Sequence, residues 1–140
     1  MDEGEARAFF KSYEAATRAG DGEALASHYA EPYTSFTLGH VGQFATRAVA
    51  IAIVTPWLAR LREFGVNDVH LVDLAITPVS DSFCLCHPTW EIRPADGTPP
   101  WRFVNVYGLR QDDRGQRLEF SIADNEAAGF MKRHPGLMPG

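Results

Sequence analysis

The stretch from Ala6 to Ala30 limits what this chain can fold into more than any other. Phe9, Phe10, Tyr13 and Ala16 recur at the three-and-four spacing of one helix face. Gly20 stands where a helix end takes a left-handed residue, and Asp21 stands where the next helix takes an N-cap. Leu25, His28 and Tyr29 give the second helix one mainly apolar side. Glu31-Pro32 ends it, because proline disfavours helical geometry in its predecessor. An aromatic-rich helix tied to a short one, with long strands only later in the chain, points to an α+β architecture.

Tyr33 to Leu38 alternates as a short strand, and Gly39-His40-Val41-Gly42 reads as a turn into a short second strand. A helical pattern runs from about Thr46 to Phe64, with Ala50, Ile53, Val54, Trp57, Leu58, Leu61 and Phe64 on its buried face. Gly65 ends it. Pro56 either kinks this helix or, with Thr55 as N-cap, opens a separate one. Beyond Gly65 the period becomes two. Strands are expected at Val66–Thr77, Ser82–Arg93, Trp101–Gln111 and Arg117–Asn125, joined by short turns into an antiparallel meander. Residues 1–140 form one domain in this reading, with an ordered core over 6–125 and a loose tail over 131–140 that carries Pro135, Gly136, Pro139 and Gly140.

Apolar residues make up 45% of the chain, enough for a core. The net charge is -5 with no basic stripe, which argues against nucleic acid and anionic membrane as partners. The longest apolar run, Ala48 to Val54, is too short to span a bilayer. Asp2, Glu3 and Glu5 are the opposite of a signal peptide's basic start, so a cytoplasmic protein is expected. Cys84 and Cys86 share one face of an extended strand, where a disulfide would distort the backbone; buried free thiols are expected. The histidines at 28, 40, 70, 87 and 134 form no cluster with ligand spacing, so neither metal nor cofactor is expected.

The order helix, helix, short strand, long helix, four long strands, together with F-F-K-S-Y-E-A-A-T-R-A-G-D-G-E-A-L-A-S-H-Y-A from Phe9 to Ala30, resembles the nuclear transport factor 2-like superfamily. That superfamily includes ketosteroid isomerases, polyketide cyclases of the SnoaL type, scytalone dehydratase and members of unknown role. The resemblance covers about Ala6 to Asn125. It implies a curved antiparallel sheet wrapped around the N-terminal helices, a cone-shaped barrel with an apolar pocket.

Alternation places Leu118, Phe120, Ile122 and Asp124 on one face of the last strand, and Phe103, Asn105, Tyr107 and Leu109 on one face of the strand before it. Trp57, Trp90, Phe103, Tyr107, Phe120 and Ile122 are the expected ligand-binding residues. The likeness to ketosteroid isomerase puts Tyr13 at the place of its catalytic tyrosine, Asn105 near that of its oxyanion-hole aspartate, and Thr37 at that of its base. Threonine is no base at neutral pH. Tyr13 and Asn105 can still polarise a carbonyl, with Asp124 or His40 supplying the base. His87 shares the outward face with Thr89 and Glu91, and Pro88 implies an edge strand or a bulge.

Two functions fit. One is cofactor-free isomerase, cyclase or dehydratase chemistry on a small apolar carbonyl compound; the other is a non-catalytic ligand carrier or association module. An open pocket reached by Asp124 favours the first, and one plugged by Trp57, Trp90 or Trp101 favours the second. Phe83, Leu85, Val104 and Val106 make the opposite face of the same strands apolar, which predicts a homodimer through the sheet.

Overall fold

The structure, a computed structural model, describes residues 2–137. Helix α1 (Glu3–Ala19) starts where Asp2 Oδ1 accepts the Glu5 N–H at 2.7 Å and stops at Gly20, whose φ of 68° is left-handed. Helix α2 (Gly22–Ala26) starts where Asp21 Oδ1 accepts the Ala24 N–H at 3.0 Å. It is shorter than the sequence pattern. The His28 imidazole donates from Nδ1 to the Ala24 carbonyl at 2.9 Å and accepts the Ser12 hydroxyl on Nε2 at 2.9 Å. That closes the helix, and strand β1 (Tyr29–Thr37) begins at Tyr29 rather than Tyr33, with Pro32 inside it.

Thr37 pairs with His40, so the turn into β2 (His40–Phe44) is Leu38-Gly39, with φ of 49° and 83°. This is the two-residue hairpin geometry that matches strand twist. His40 therefore lies in β2 and not in the turn. Helix α3 (Arg47–Glu63) is capped by Thr46 and runs unbroken through Pro56, so no separate helix starts there. It buries Ala50, Val54, Leu58 and Leu61.

The remaining elements are β3 (Val69–Ser80), β4 (Phe83–Ile92), β5 (Trp101–Val104), β6 (Val106–Asp112), β7 (Gly115–Ile122) and α4 (Asp124–Arg133). The sheet order is β2-β1-β7-β6-β4-β3, with β5 also paired to β4. The sheet is curved but unclosed, with β2 and β3 at its edges, and β1 runs parallel to β7 while the other pairs are antiparallel. Glu14 of α1 stitches the helix to the sheet, since its carboxylate accepts the Leu71 N–H beside a bulge in β3.

Three expectations change. The strand expected over Trp101–Gln111 is split at Asn105. Pairs Cys86–Tyr107 and Thr89–Val104 bracket the gap in one register, which sets Asn105 opposite Pro88. Proline has no N–H to donate, so the ladder opens there. Pro88 thus occupies a central strand, neither an edge nor a bulge. In β7, Leu109 pairs with Leu118 but Gly108 pairs with Phe120, leaving Glu119 as an extra residue. This bulge reverses the pleat. Leu118 and Ser121 face the core, while Phe120 and Ile122 face outward. Gly108 makes room for it, because a Cβ there would overlap the Phe120 ring.

The third change is α4, which replaces the end of the last strand and the start of the loose tail. Phe130 is fully buried, and Arg60 Nε donates to the Leu137 carbonyl at 2.8 Å, holding the buried Leu137. Pro139 and Gly140 lie outside the described residues. On the convex face, paired positions set Val41, Phe36, Ile122 and Val106 in one row across four strands. Val41 is 66% exposed, and Phe36 and Ile122 are each 40% exposed.

The bulge makes a stability prediction. Leu118→Ala should cost about 2–5 kcal/mol, as for a fully buried leucine. Phe120→Ala, on the outer face of the isolated chain, should cost less than about 2 kcal/mol. Urea denaturation of both variants at a concentration that keeps the chain monomeric checks the order; a larger loss for Phe120 would contradict the bulge.

Candidate functional site

Between the concave face of the sheet and helices α1, α3 and α4 lies a cavity of about 210 Å³. α1 contributes Tyr13 and Thr17; β1 contributes Tyr29, Tyr33, Ser35 and Thr37. Val54, Trp57 and Leu58 come from α3, and Trp90, Phe103, Tyr107 and Ser121 come from the sheet. Glu126 and Phe130 come from α4, four residues apart and so on one helix face. Ile53, largely exposed, marks the mouth.

A polar seam crosses this otherwise apolar wall. The Tyr13 and Tyr29 hydroxyls bond each other at 2.9 Å. Asn105 Nδ2 donates to the Tyr107 hydroxyl at 3.2 Å and to Glu126 Oε1 at 3.1 Å. The Tyr107 hydroxyl also interacts with the Tyr13 hydroxyl and the Trp90 indole, which joins the two halves. Asn105 owes this position to the opening in the ladder opposite Pro88. It is 1% exposed, and its Oδ1 has no hydrogen-bond partner among the described residues.

Burial raises the pKa of Tyr13, Tyr29, Tyr33 and Tyr107, so all four stay protonated and able to donate. Burial also pushes the Glu126 carboxyl above the usual carboxylate range, and the Asn105 hydrogen bond offsets part of this. No lysine, arginine or histidine among the described residues lines the cavity. Among those residues no group of three or more histidine, cysteine, aspartate or glutamate side chains is placed to hold a metal ion.

Tyr13, Asn105, Trp57, Trp90, Phe103 and Tyr107 are thus brought together, and Thr37 lies in the wall. Trp57 and Trp90 line the space and do not plug it, and Trp101 packs outside it against Phe130 and His134. Four other expected site residues lie elsewhere. Asp124 is exposed at the start of α4, where its Oδ1 accepts the Leu38 N–H at 2.7 Å and fixes the left-handed turn residue. His40 is exposed in β2. Phe120 and Ile122 sit on the convex face because of the bulge at Glu119. His87 faces outward near Thr77. Cys84 and Cys86 are buried, not disulfide-bonded, with their sulfurs 3.5 Å apart.

Glu126 is the cavity carboxyl absent from the sequence expectations, because a last strand running through Asn125 leaves it beyond the sheet. The signal was Asp124-Asn125-Glu126 followed by Ala127 and Phe130 at helical spacing, an acidic first turn before an apolar stripe.

A curved, unclosed sheet folded over N-terminal helices is the architecture of the NTF2-like proteins. The chain belongs to this class: the sequence model of the family NTF2-like protein (DUF6841) matches residues 2–126. An NTF2-like protein with a cystatin-like fold from Novosphingobium aromaticivorans aligns at TM-score 0.68 and 18% identity, over 99% of this chain and 90% of that one. A domain of unknown function with a cystatin-like fold from Nostoc punctiforme aligns at TM-score 0.68 and 18% identity, over 98% and 87%. An NTF2-like protein of unknown function from Pseudomonas putida aligns at TM-score 0.67 and 16% identity, over 86% and 83%. No curated protein matches in sequence. No helix of the described residues is long and apolar enough to cross a membrane.

The raised Glu126 pKa carries a sign. A carboxyl whose folded pKa exceeds its unfolded value of about 4.5 favours the folded state when protonated and loses that advantage as pH rises through the folded pKa. Wild type should therefore lose stability relative to Glu126→Gln as pH rises from 4.5 towards 8. Urea midpoints at several pH values check this, and parallel curves for the two proteins would refute it.

Proposed function

We propose that the chain binds one small, mostly apolar molecule in the conical pocket and carries out cofactor-free proton transfer on it. The observation that supports this reading best is Glu126, an acid–base group at the end of a hydroxyl seam inside an apolar cavity. A carbonyl compound fits the seam. Its oxygen accepts a hydrogen bond from the Tyr13–Tyr29 pair, which has one hydroxyl proton to spare after its internal bond. The Glu126 carboxylate takes a proton from the carbon beside the carbonyl, and the enolate oxygen is held by the tyrosine. Returning that proton to another carbon completes an isomerisation with no net electron change.

The second reading, a non-catalytic dimeric carrier or association module, draws on the exposed row Val41, Phe36, Ile122 and Val106. A second copy of the sheet laid on this row would remove it from water. Such a dimer is compatible with either reading. Cys84 and Cys86, buried and not disulfide-bonded, favour a reducing, cytoplasmic setting.

Two measurements test these readings. Solvent deuterium exchange next to the carbonyl of a cyclic ketone, followed by NMR, should fall by about 10²–10⁴-fold in Glu126→Gln; equal exchange in the variant would remove the catalytic step. Sedimentation velocity should give a dimer that Val106→Glu splits; a monomeric wild type at micromolar concentration would exclude the dimer.

A further inference from the structure

The cavity's polar groups are unevenly matched to ligands. Asn105 spends both amide hydrogens inside the protein, on Tyr107 and Glu126, and leaves its carbonyl oxygen buried without a partner among the described residues. Asn105 is the one hydrogen-bond partner found for Glu126 among the described residues, and no ion pair neutralises its carboxyl. Tyr29, Tyr107, Trp57 and Phe130 line the same cavity.

We propose that the cavity selects a ring-sized apolar molecule bearing a protonated amine, with the nitrogen donating to Glu126, and rejects carboxylates and phosphates. This inference rests on the binding reading given above and not on proton transfer. Three features meet in it. The carboxylate supplies opposite charge, and a charge-assisted hydrogen bond is about twice as strong as a neutral one. Aromatic faces attract a desolvated cation through their quadrupoles. The absence of any cationic lining residue among those described leaves an anion only neutral hydroxyl donors to offset its loss of water. The volume, about 210 Å³, suits one ring with a short substituent, since a cavity of about 150 Å³ holds benzene.

The titratable groups facing Glu126 are Tyr107 of β6 and Tyr29 and Tyr33 of β1, joined through the seam to Tyr13 of α1; none is cationic. Among the described residues no cation lines the cavity, so a bound ammonium brings the positive charge to the carboxyl. It favours the ionised form, so amine affinity should rise with pH until Glu126 is fully ionised, and amine binding below that point should release protons.

The experiment uses the full chain and four ring compounds of similar size: benzylamine, benzyl alcohol, benzaldehyde and benzoate. Fluorescence of the cavity tryptophans Trp57 and Trp90 reads binding at pH 7. Benzylamine should bind at least about tenfold more tightly than benzyl alcohol, and benzoate more weakly than either. In Glu126→Gln the amine-to-alcohol ratio should collapse towards one. Calorimetry of wild type in pairs of buffers of different ionisation enthalpy, repeated from about pH 4.5 upward, should show proton release with benzylamine over the range in which Glu126 titrates and none with benzyl alcohol, a readout that does not depend on the variant folding. Benzoate binding as tightly as benzylamine, an amine preference that survives in Glu126→Gln, or no proton release would each overturn the inference. Binding of the alcohol and aldehyde without amine preference would overturn it and leave the binding reading standing. Failure of all four compounds to bind would overturn both.

Discussion

Helix α1 meets the sheet through aromatic rings. Phe10 lies 5.4 Å from Tyr107 and 6.4 Å from Trp90, and Tyr13 lies 5.8 Å and 6.0 Å from the same two rings. Such pairs add about 0.5–1.5 kcal/mol each beyond the area they bury. Their bulk also sets the distance between helix and sheet, so the concave face cannot collapse onto α1. The cavity occupies the space beyond this contact, where α3 and α4 take over from α1. Because two of the rings carry hydroxyls, the contact that spaces the layers also begins the polar seam. Structure and chemistry share the same side chains here.

The parts of the fold governed by local rules could be read from the chain. Gly20 and Asp21 do what a left-handed residue and an N-cap do anywhere, and the alternation in β4 correctly put Cys84, Cys86, Trp90 and Ile92 inside. Alternation failed in β7, where strict period two sent Phe120 and Ile122 inward. The bulge at Glu119 depends on what Gly108 leaves vacant on the neighbouring strand, and that is a non-local fact. The same limit explains Asp124 and Glu126. Extending β7 by two or three residues put the wrong carboxylate on the pocket face, because the strand-to-helix change at Ala123 is driven by the packing of Phe130 and not by a side-chain cap. Tyr13 and Asn105 could be placed from the resemblance alone, but the partners that give them meaning, Tyr29 and Glu126, come from elements whose boundaries were read differently.

Charge is sorted by the sheet. Its outer face and rim carry Arg93 and Arg102 on Glu91, Arg110 on Glu119, and Arg117 on Asp112, where Arg117 holds the Asp112 carboxyl well below the usual range. Exposed pairs of this kind add little stability, typically under about 1 kcal/mol each. Their position still matters, because none of these guanidiniums lines the cavity. Among the described residues the cavity lining is left with hydroxyls, indoles, one amide and one carboxyl, so the pocket's electrostatic character rests on Glu126.

Glu126 and Phe130 stand one helical turn apart on α4 and supply the cavity's acid and part of its apolar floor. The helix is moored at its ends: Asp124 takes the Leu38 N–H, Asn125 Nδ2 donates to the Val104 carbonyl at 3.3 Å, and Arg60 grips the Leu137 carbonyl beyond it. Handle and floor therefore travel as one rigid ruler laid along the cavity. A substitution that slid or turned α4 would displace both by the same motion and leave the sheet as it was. The reach between a ligand's polar group and its apolar body is thereby measured against about one helical pitch, and chains sharing this sheet can acquire a different gauge by re-mooring a single helix.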